Sequence, residues 1–206
     1  MPVLYNTALN IGQGLLRAVG RRNNQKPDDA GKLRKFIDGH AGLMQHIAST
    51  MDADRRDLPT YWFHAASLGE FGVARPVIKR LREQERCRIV LTFFSSTGYE
   101  AIHPRRQLAG VDHVFYLPLD TPSNAARFLD IVRPQKAIFM ISEYWLNYLN
   151  ELKRRRIPTF LVSAIINANA PFFRWYGGAY RKALDAYTRI MVLNGKSRLN
   201  LERIGC

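Results

Sequence analysis

The chain has 206 residues, 47% hydrophobic and 23% charged, proportions of an ordinary folded protein long enough to bury a core, which sets disorder aside. Cys87 and Cys206 are too few for a disulfide framework and point to a reducing compartment, and neither has metal-ligand company. The formal net charge is +14, with +3 in residues 1–59 and +11 in residues 60–206, a field that suits nucleic acid, an anionic membrane or a phosphorylated substrate.

Leu4, Ala8, Ile11, Leu15 and Val19 fall on one helical face over residues 3–19, and Arg17, Arg21, Arg22 and Lys26 crowd its end. This amphipathic helix is too short and too polar to span a bilayer, and no signal-peptide cleavage pattern follows. It reads either as an interfacial anchor or as a helix packed on its own domain. A second helix is expected over residues 32–49, with Leu33, Phe36, Ile37, Leu43, Met44 and Ile47 as its apolar side, and residues 51–59 read as a linker. Residues 1–59 are therefore expected to precede a folded unit of residues 60–206.

Beyond Pro59 short apolar strands alternate with helices. Strands are expected near 60–66, 88–93, 113–118, 136–141, 158–163 and 188–193, with helices near 70–84, 97–103, 122–131, 143–156, 174–186 and 195–204. The alternation predicts an α/β fold, a parallel sheet wrapped by helices. The nearly all-apolar strands are those of a sheet covered on both faces.

The stretch Thr60–Glu70, a strand running into a helix, carries the main chemical candidate. Ser67-Leu68-Gly69-Glu70 places a carboxylate at a helix N-terminus and at the carboxyl end of a strand, where open α/β sheets bind ligands. The same Ser-x-x-Glu is also a capping box, Ser67 accepting from the Glu70 N–H and Glu70 reaching back to the Ser67 N–H. Both readings stand on the sequence. Ser95, Ser96, Thr97 and Gly98 follow the second strand and suit an anion at a helix start, with Ser96 or Thr97 as a simple helix cap the alternative. Asp120 and Pro122 read as a cap and an early helical proline. Glu143 sets a second carboxylate at a strand end beside Tyr144 and Trp145, as a dipole partner of the next helix or as part of a site.

His64 lies inside the first strand and reads as a core histidine, and the other histidines form no metal spacing. The basic run Lys153–Arg156 reads as a solvated helix end. Phe172, Phe173, Trp175 and Tyr176 interleave with Arg174, for packing or for an amphiphilic partner. Neither a dinucleotide fingerprint nor a Walker A sequence occurs, and no stacking-aromatic motif suggests nucleic acid.

The order of these motifs is that of a known family. Trp62-Phe63-His64-Ala65-Ala66-Ser67-Leu68-Gly69-Glu70, Leu91 to Glu100, Tyr116 to Pro122, Glu143-Tyr144-Trp145 and Ile157-Pro158 with Leu161 to Ala164 together resemble the N-terminal half of the Kdo transferases of lipopolysaccharide synthesis. Phe172 to Gly178 looks like the Bacteroidetes branch.

The resemblance implies a B-type glycosyltransferase with two Rossmann-like domains, this chain supplying the acceptor-binding one. It implies inverting transfer of 3-deoxy-D-manno-octulosonic acid from CMP-Kdo to a lipid A precursor at the cytoplasmic face of the inner membrane. Glu70 would be the general base, and Ser67, Gly69, Ser96, Thr97, Glu143 and Trp145 would meet the acceptor. No metal and no cofactor are expected. CMP-Kdo would bind mainly to a second domain that this chain lacks, so the chain alone is expected to be inactive. The family pattern Glu-x-Trp-Pro-Asn becomes Glu143-Tyr144-Trp145-Leu146-Asn147 here, and Ile141 stands where an acidic residue is often found. A non-catalytic lipid- or polyanion-binding module that kept the fold is the alternative.

Overall fold

A computed structural model describes residues 5–6, 35, 37–54, 56–107 and 109–205. Six strands, β1 (Thr60–His64), β2 (Arg88–Phe93), β3 (His113–Tyr116), β4 (Lys136–Met140), β5 (Thr159–Ala164) and β6 (Arg189–Val192), pair in parallel throughout. Around them lie α1 (Leu43–Ala53), α2 (Leu68–Gln84), α3 (Ser96–Ile102), α4 (Pro122–Val132), α5 (Leu146–Arg154), α6 (Gly178–Leu184) and α7 (Gly195–Glu202). The sheet order is β3-β2-β1-β4-β5-β6. This is the doubly wound, Rossmann-like order, which reverses direction between β1 and β4 and opens a crevice at their carboxyl ends.

Strand alternation splits the core in two. Trp62, Val90, Phe115, Phe139 and Leu161 face one way and pack with buried residues of α1, α4, α5 and α6. Tyr61, Phe63, Ile89, Leu91, Val114 and Ile138 face the other way against Phe71, Ala74 and Ile78 of α2. Every residue of β1 and β2 is buried, as both faces of a central strand require. Trp62 is the hub of the first layer, with the rings of Phe128, Phe139 and Tyr148 at 4.8, 5.1 and 5.5 Å between centroids.

The helix expected over residues 32–49 is divided by Gly42, whose φ of 66° a residue with a side chain rarely adopts. Its second part runs on to Ala53, taking up the start of the expected linker, because Leu43, Ile47 and Met51 recur every fourth residue and bury against the core. Asp54 then fastens the helix end to the amino edge of the sheet, accepting from Arg88 Nε at 2.8 Å and lying 2.8 Å from His113 Nε2. Hydrogen bonds from Arg56 and Arg88 hold the Asp54 carboxyl well below the usual carboxylate range. The amphipathic helix read over residues 3–19, with its basic tail, lies outside the described residues apart from Tyr5 and Asn6.

Two capping expectations change. Thr121, not Asp120, caps α4, its side chain accepting from the Asn124 N–H at 3.3 Å, with Pro122 at the first helical position. Asp120, wholly buried, serves another helix: its carboxylate accepts from the N–H groups of Asn147 and Tyr148 at 3.2 and 3.0 Å and from the Tyr5 hydroxyl at 2.7 Å. Orphan N–H groups at the start of α5 are thus met from another loop. The expected helix over residues 174–186 shrinks to α6, preceded by a 3-10 turn at Pro171–Phe173. Gly177 is needed there, since a Cβ would lie 2.4 Å from the Pro171 carbonyl oxygen.

Candidate functional site

At the β1–β4 reversal the carboxyl ends of both strands meet. β1 ends at His64, Ala65 and Ala66 cross the sheet edge, and α2 begins at Leu68 with Ser67 as its cap. The Ser67 hydroxyl accepts from the Glu70 N–H at 3.4 Å, but the Glu70 carboxylate reaches one residue beyond the capping-box partner, to the Ala66 N–H at 2.5 Å. The side chain thereby folds back over the end of β1. From β2 the Ser95 N–H donates to the Ala66 carbonyl at 2.9 Å, tying the two loops together.

Glu143 comes from the β4 side. It lies three residues ahead of α5, not at its start as the sequence suggested, and Asp120 is the partner of that helix end. Ile141 turns the chain, with a φ of 63°. A left-handed β-branched residue is strained by about 1–3 kcal/mol, and such strain gathers at functional sites. The turn is held by Ile141 N–H to the Val162 carbonyl at 2.9 Å and by the Ser142 hydroxyl to the Ile165 carbonyl at 2.9 Å. The Glu143 side chain is buried, accepts from Trp145 Nε1 and lies with Oε2 3.3 Å from His64 Nε2. The Tyr187 hydroxyl donates to the Glu143 carbonyl at 2.5 Å.

Glu70 and Glu143 thus lie close enough to interact directly. Burial, then the Glu143 charge and the hydrogen bond between the two carboxyls, push the Glu70 carboxyl up to about 7, and the N–H groups of Ala66 and Ser67 pull it partly back. A helix N-terminus alone would depress it. A carboxyl near neutrality can accept a proton from a hydroxyl and release it again.

The other expected residues divide. Ser96 and Thr97 open α3 but do not cap it, because Ser95 does, accepting from the Gly98 N–H at 3.2 Å. Their hydroxyls are left at the carboxyl end of β2, beside the β1 loop. Gly69 sits in the first turn of α2, where a Cβ would meet only Ser67 Oγ at 3.8 Å, so no packing demands glycine. Leu146 takes the first helical position of α5, is buried, and gives its N–H to the Asp120 carboxylate, a bond that proline at this position could not make.

His64 is a core histidine, as the sequence reading expects, and the structure also sets its Nε2 beside Glu143. It is 0% exposed, with Nδ1 2.9 Å from Thr92 Oγ1, while Nε2 makes no aligned hydrogen bond. The sequence signal for that placement was a titratable side chain at the carboxyl end of a central strand. Phe172 is buried as a packing residue, whereas Arg174 and Tyr176 are exposed and Trp175 is 88% exposed. Three residues of the basic run at the end of α5 form ion pairs, Arg154 and Arg155 with Glu151 and Lys153 with Asp185.

A cavity of about 400 Å³ opens at the opposite, amino edge of the sheet, lined by Arg56, Arg82, Arg106 and Asp112. Arg56 and Arg82 are engaged with Asp54, Asp112 and the carbonyls of Gly110 and Cys87, so they are not free to hold an anion. Among the described residues no cluster suited to a metal ion occurs, and no helix is long and apolar enough to cross a membrane.

Residues 37–206 match a family model described as 3-deoxy-D-manno-octulosonic-acid transferase. The chain is 35% identical over 112 residues to a 3-deoxy-D-manno-octulosonic acid transferase of Haemophilus influenzae, and 31% identical over 152 residues to that of Bordetella pertussis. These matches cover 53% and 70% of this chain but only 25% and 34% of the relatives. In fold it is similar to a UDP-GlcNAc 2-epimerase of Neisseria meningitidis, at a TM-score of 0.51 and 13% identity over 71% of this chain and 43% of that one.

Proposed function

Because the chain belongs to the 3-deoxy-D-manno-octulosonic-acid (Kdo) transferase family, we propose that it binds a lipid A precursor and that Glu70 activates the attacking hydroxyl. The observation that carries this reading is the Glu70–Glu143 pair at the β1–β4 reversal, with the Glu70 carboxyl raised to about 7. A sugar hydroxyl is a weak nucleophile. In the proposed step its oxygen bonds to the anomeric carbon of Kdo as the bond from that carbon to the CMP phosphate oxygen breaks. Glu70 takes the hydroxyl proton and CMP leaves with the bonding electrons, inverting the centre. Ser67, Gly69, Ser96, Thr97, Glu143 and Trp145 would line the acceptor side, and CMP-Kdo would be held mainly by residues outside this chain. The test is transfer of Kdo to a lipid A precursor by the full-length protein carrying this chain, followed by mass spectrometry. Absence of a Kdo-bearing product would overturn the assignment.

Gly69 offers a second check. Since no packing requires glycine there, Gly69→Ala should leave the fold as stable or up to about 1 kcal/mol more stable. If the acceptor approaches this backbone, KM for acceptor should rise several-fold with kcat nearly unchanged. An unchanged KM would remove Gly69 from the acceptor surface.

The acceptor's location suggests work at the cytoplasmic face of the inner membrane. Exposed Arg174, Trp175 and Tyr176, between β5 and α6, pair a cation with aromatics as interfacial segments do. Trp175→Ala should reduce co-sedimentation with anionic liposomes. Undiminished binding would place any membrane contact elsewhere.

A further inference from the structure

We propose that His64 is a positioning residue, which through Nε2 holds Glu143 as the anion of the Glu70–Glu143 pair and so seats their shared proton on Glu70. The proposal rests on the reading of Glu70 as base and extends it to a residue outside the acceptor surface.

Hydrogen bookkeeping along β1 and β2 leads to it. Trp62 Nε1, a donor only, gives its hydrogen to Thr92 Oγ1 at 2.8 Å. The Thr92 hydroxyl has one hydrogen to give, and its two acceptors are His64 Nδ1 at 2.9 Å and the Phe63 carbonyl at 3.4 Å. Thr92 Oγ1 also has a second lone pair, so Nδ1–H can donate to it while the hydroxyl gives its hydrogen to the Phe63 carbonyl, and this side of the ring fits either tautomer. The other side of the ring decides between them. Nε2 is buried 3.3 Å from Glu143 Oε2, where a bare nitrogen lone pair would be repelled by a carboxylate oxygen, so Nε2 carries the proton when Glu143 is the anion. The rings of Phe139 and Trp145, at 5.7 and 5.5 Å, wall the imidazole in. Glu143 then accepts from Nε1–H of Trp145 and has Nε2–H of His64 at 3.3 Å, close enough to donate with a small adjustment of the ring.

The groups facing the pair come from several elements. They are His64 of β1, the N–H groups of Ala66 and Ser67, Tyr144 and Trp145 after β4, and Tyr187 beyond α6. Among the described residues no lysine or arginine bonds to either carboxylate, which leaves the side-chain N–H groups of His64 and Trp145 to face Glu143. Two carboxyls in contact do not both ionise readily. With His64 and Trp145 on Glu143 and backbone N–H groups on Glu70, the proton rests on Glu70 and leaves it near neutral pH.

Two measurements test this. Long-range ¹H–¹⁵N spectra of the 206-residue chain should show His64 protonated at Nε2, and a His64 carrying its proton on Nδ1 alone would overturn the proposal. In the full-length enzyme the acid limb of kcat/KM should lie near pH 7, and His64→Gln should move it at least one unit lower, because the shared proton shifts to Glu143. Glu143→Gln should move the limb likewise, and the double variant no further. A uniform fall in rate for His64→Gln with the limb unmoved would mark His64 as a packing residue and overturn the proposal. If instead Glu70→Gln keeps wild-type turnover, the base assignment fails, while the His64 tautomer is decided by the spectra alone.

Discussion

Glu70→Gln is expected to cut turnover of the full-length enzyme by about 10²-fold or more while making the fold more stable above pH 7. The amide cannot take a proton from the acceptor, yet its carbonyl oxygen can still accept from the Ala66 N–H that now binds the carboxylate at 2.5 Å. Acceptor binding should therefore survive.

The stability effect follows from the sign of the shift. The Glu70 carboxyl is raised in the folded state, by burial and then by the Glu143 charge. A group raised on folding contributes stability that is fully present below its unfolded value and is lost as pH rises through its folded value. For Glu70 that window runs from about 4.5 to about 7. Gln carries no such loss. Allowing for water screening of this half-buried group, the gain above pH 7 should be about 1–2 kcal/mol, vanishing near pH 4. Urea midpoints of the chain and its variant at pH 4.5 and pH 8 measure it. A variant equally stable relative to wild type at both pH values would show that the Glu70 carboxyl is not raised, and wild-type turnover would remove it as the base. Stability given up at a site for the sake of activity is a common trade.

Trp62→Ala is the change expected to cost most in stability, about 3–5 kcal/mol, a large part of what a domain of this kind has. Trp62 is 0% exposed and joins α4, β4 and α5 through Phe128, Phe139 and Tyr148. Its loss leaves a cavity and strips Thr92 Oγ1 of a donor. Chemical denaturation should show either a large fall in midpoint or a chain unfolded without denaturant. Trp62→Phe separates the two contributions, since it keeps most of the ring volume and removes only the donor. It should cost about 1–2 kcal/mol and leave cooperative unfolding intact. An alanine variant within 1 kcal/mol of wild type would mean that this aromatic cluster is not the hub of the core.

The order of elements was legible because it depends on local pattern. Six apolar runs separated by helical periodicity leave few arrangements besides a parallel sheet, and Ser67, Pro122 and the nearly all-apolar run of β2 are local signals that the fold honours. Glu70 was legible for the same reason, four residues carrying both its helix start and its strand end. Helix ends were less so. Whether Glu143 opens α5 or stands clear of it depends on Ile141, whose left-handed turn no β-branched residue advertises, and on Asp120, which meets that helix from a loop 27 positions earlier than Asn147.

The sequence by itself determined the α/β class and the family, and it singled out Glu70 and Glu143 as candidates, because each rests on residues close together in the chain. Only the tertiary structure decided that Glu70 and Glu143 lie close enough to interact directly, that burial and their mutual repulsion raise Glu70, and that His64 closes on Glu143 from behind. Those facts come from the sheet reversing between β1 and β4, which brings together strand ends 73 residues apart in sequence at Glu70 and Glu143, and charge interactions follow distance in space.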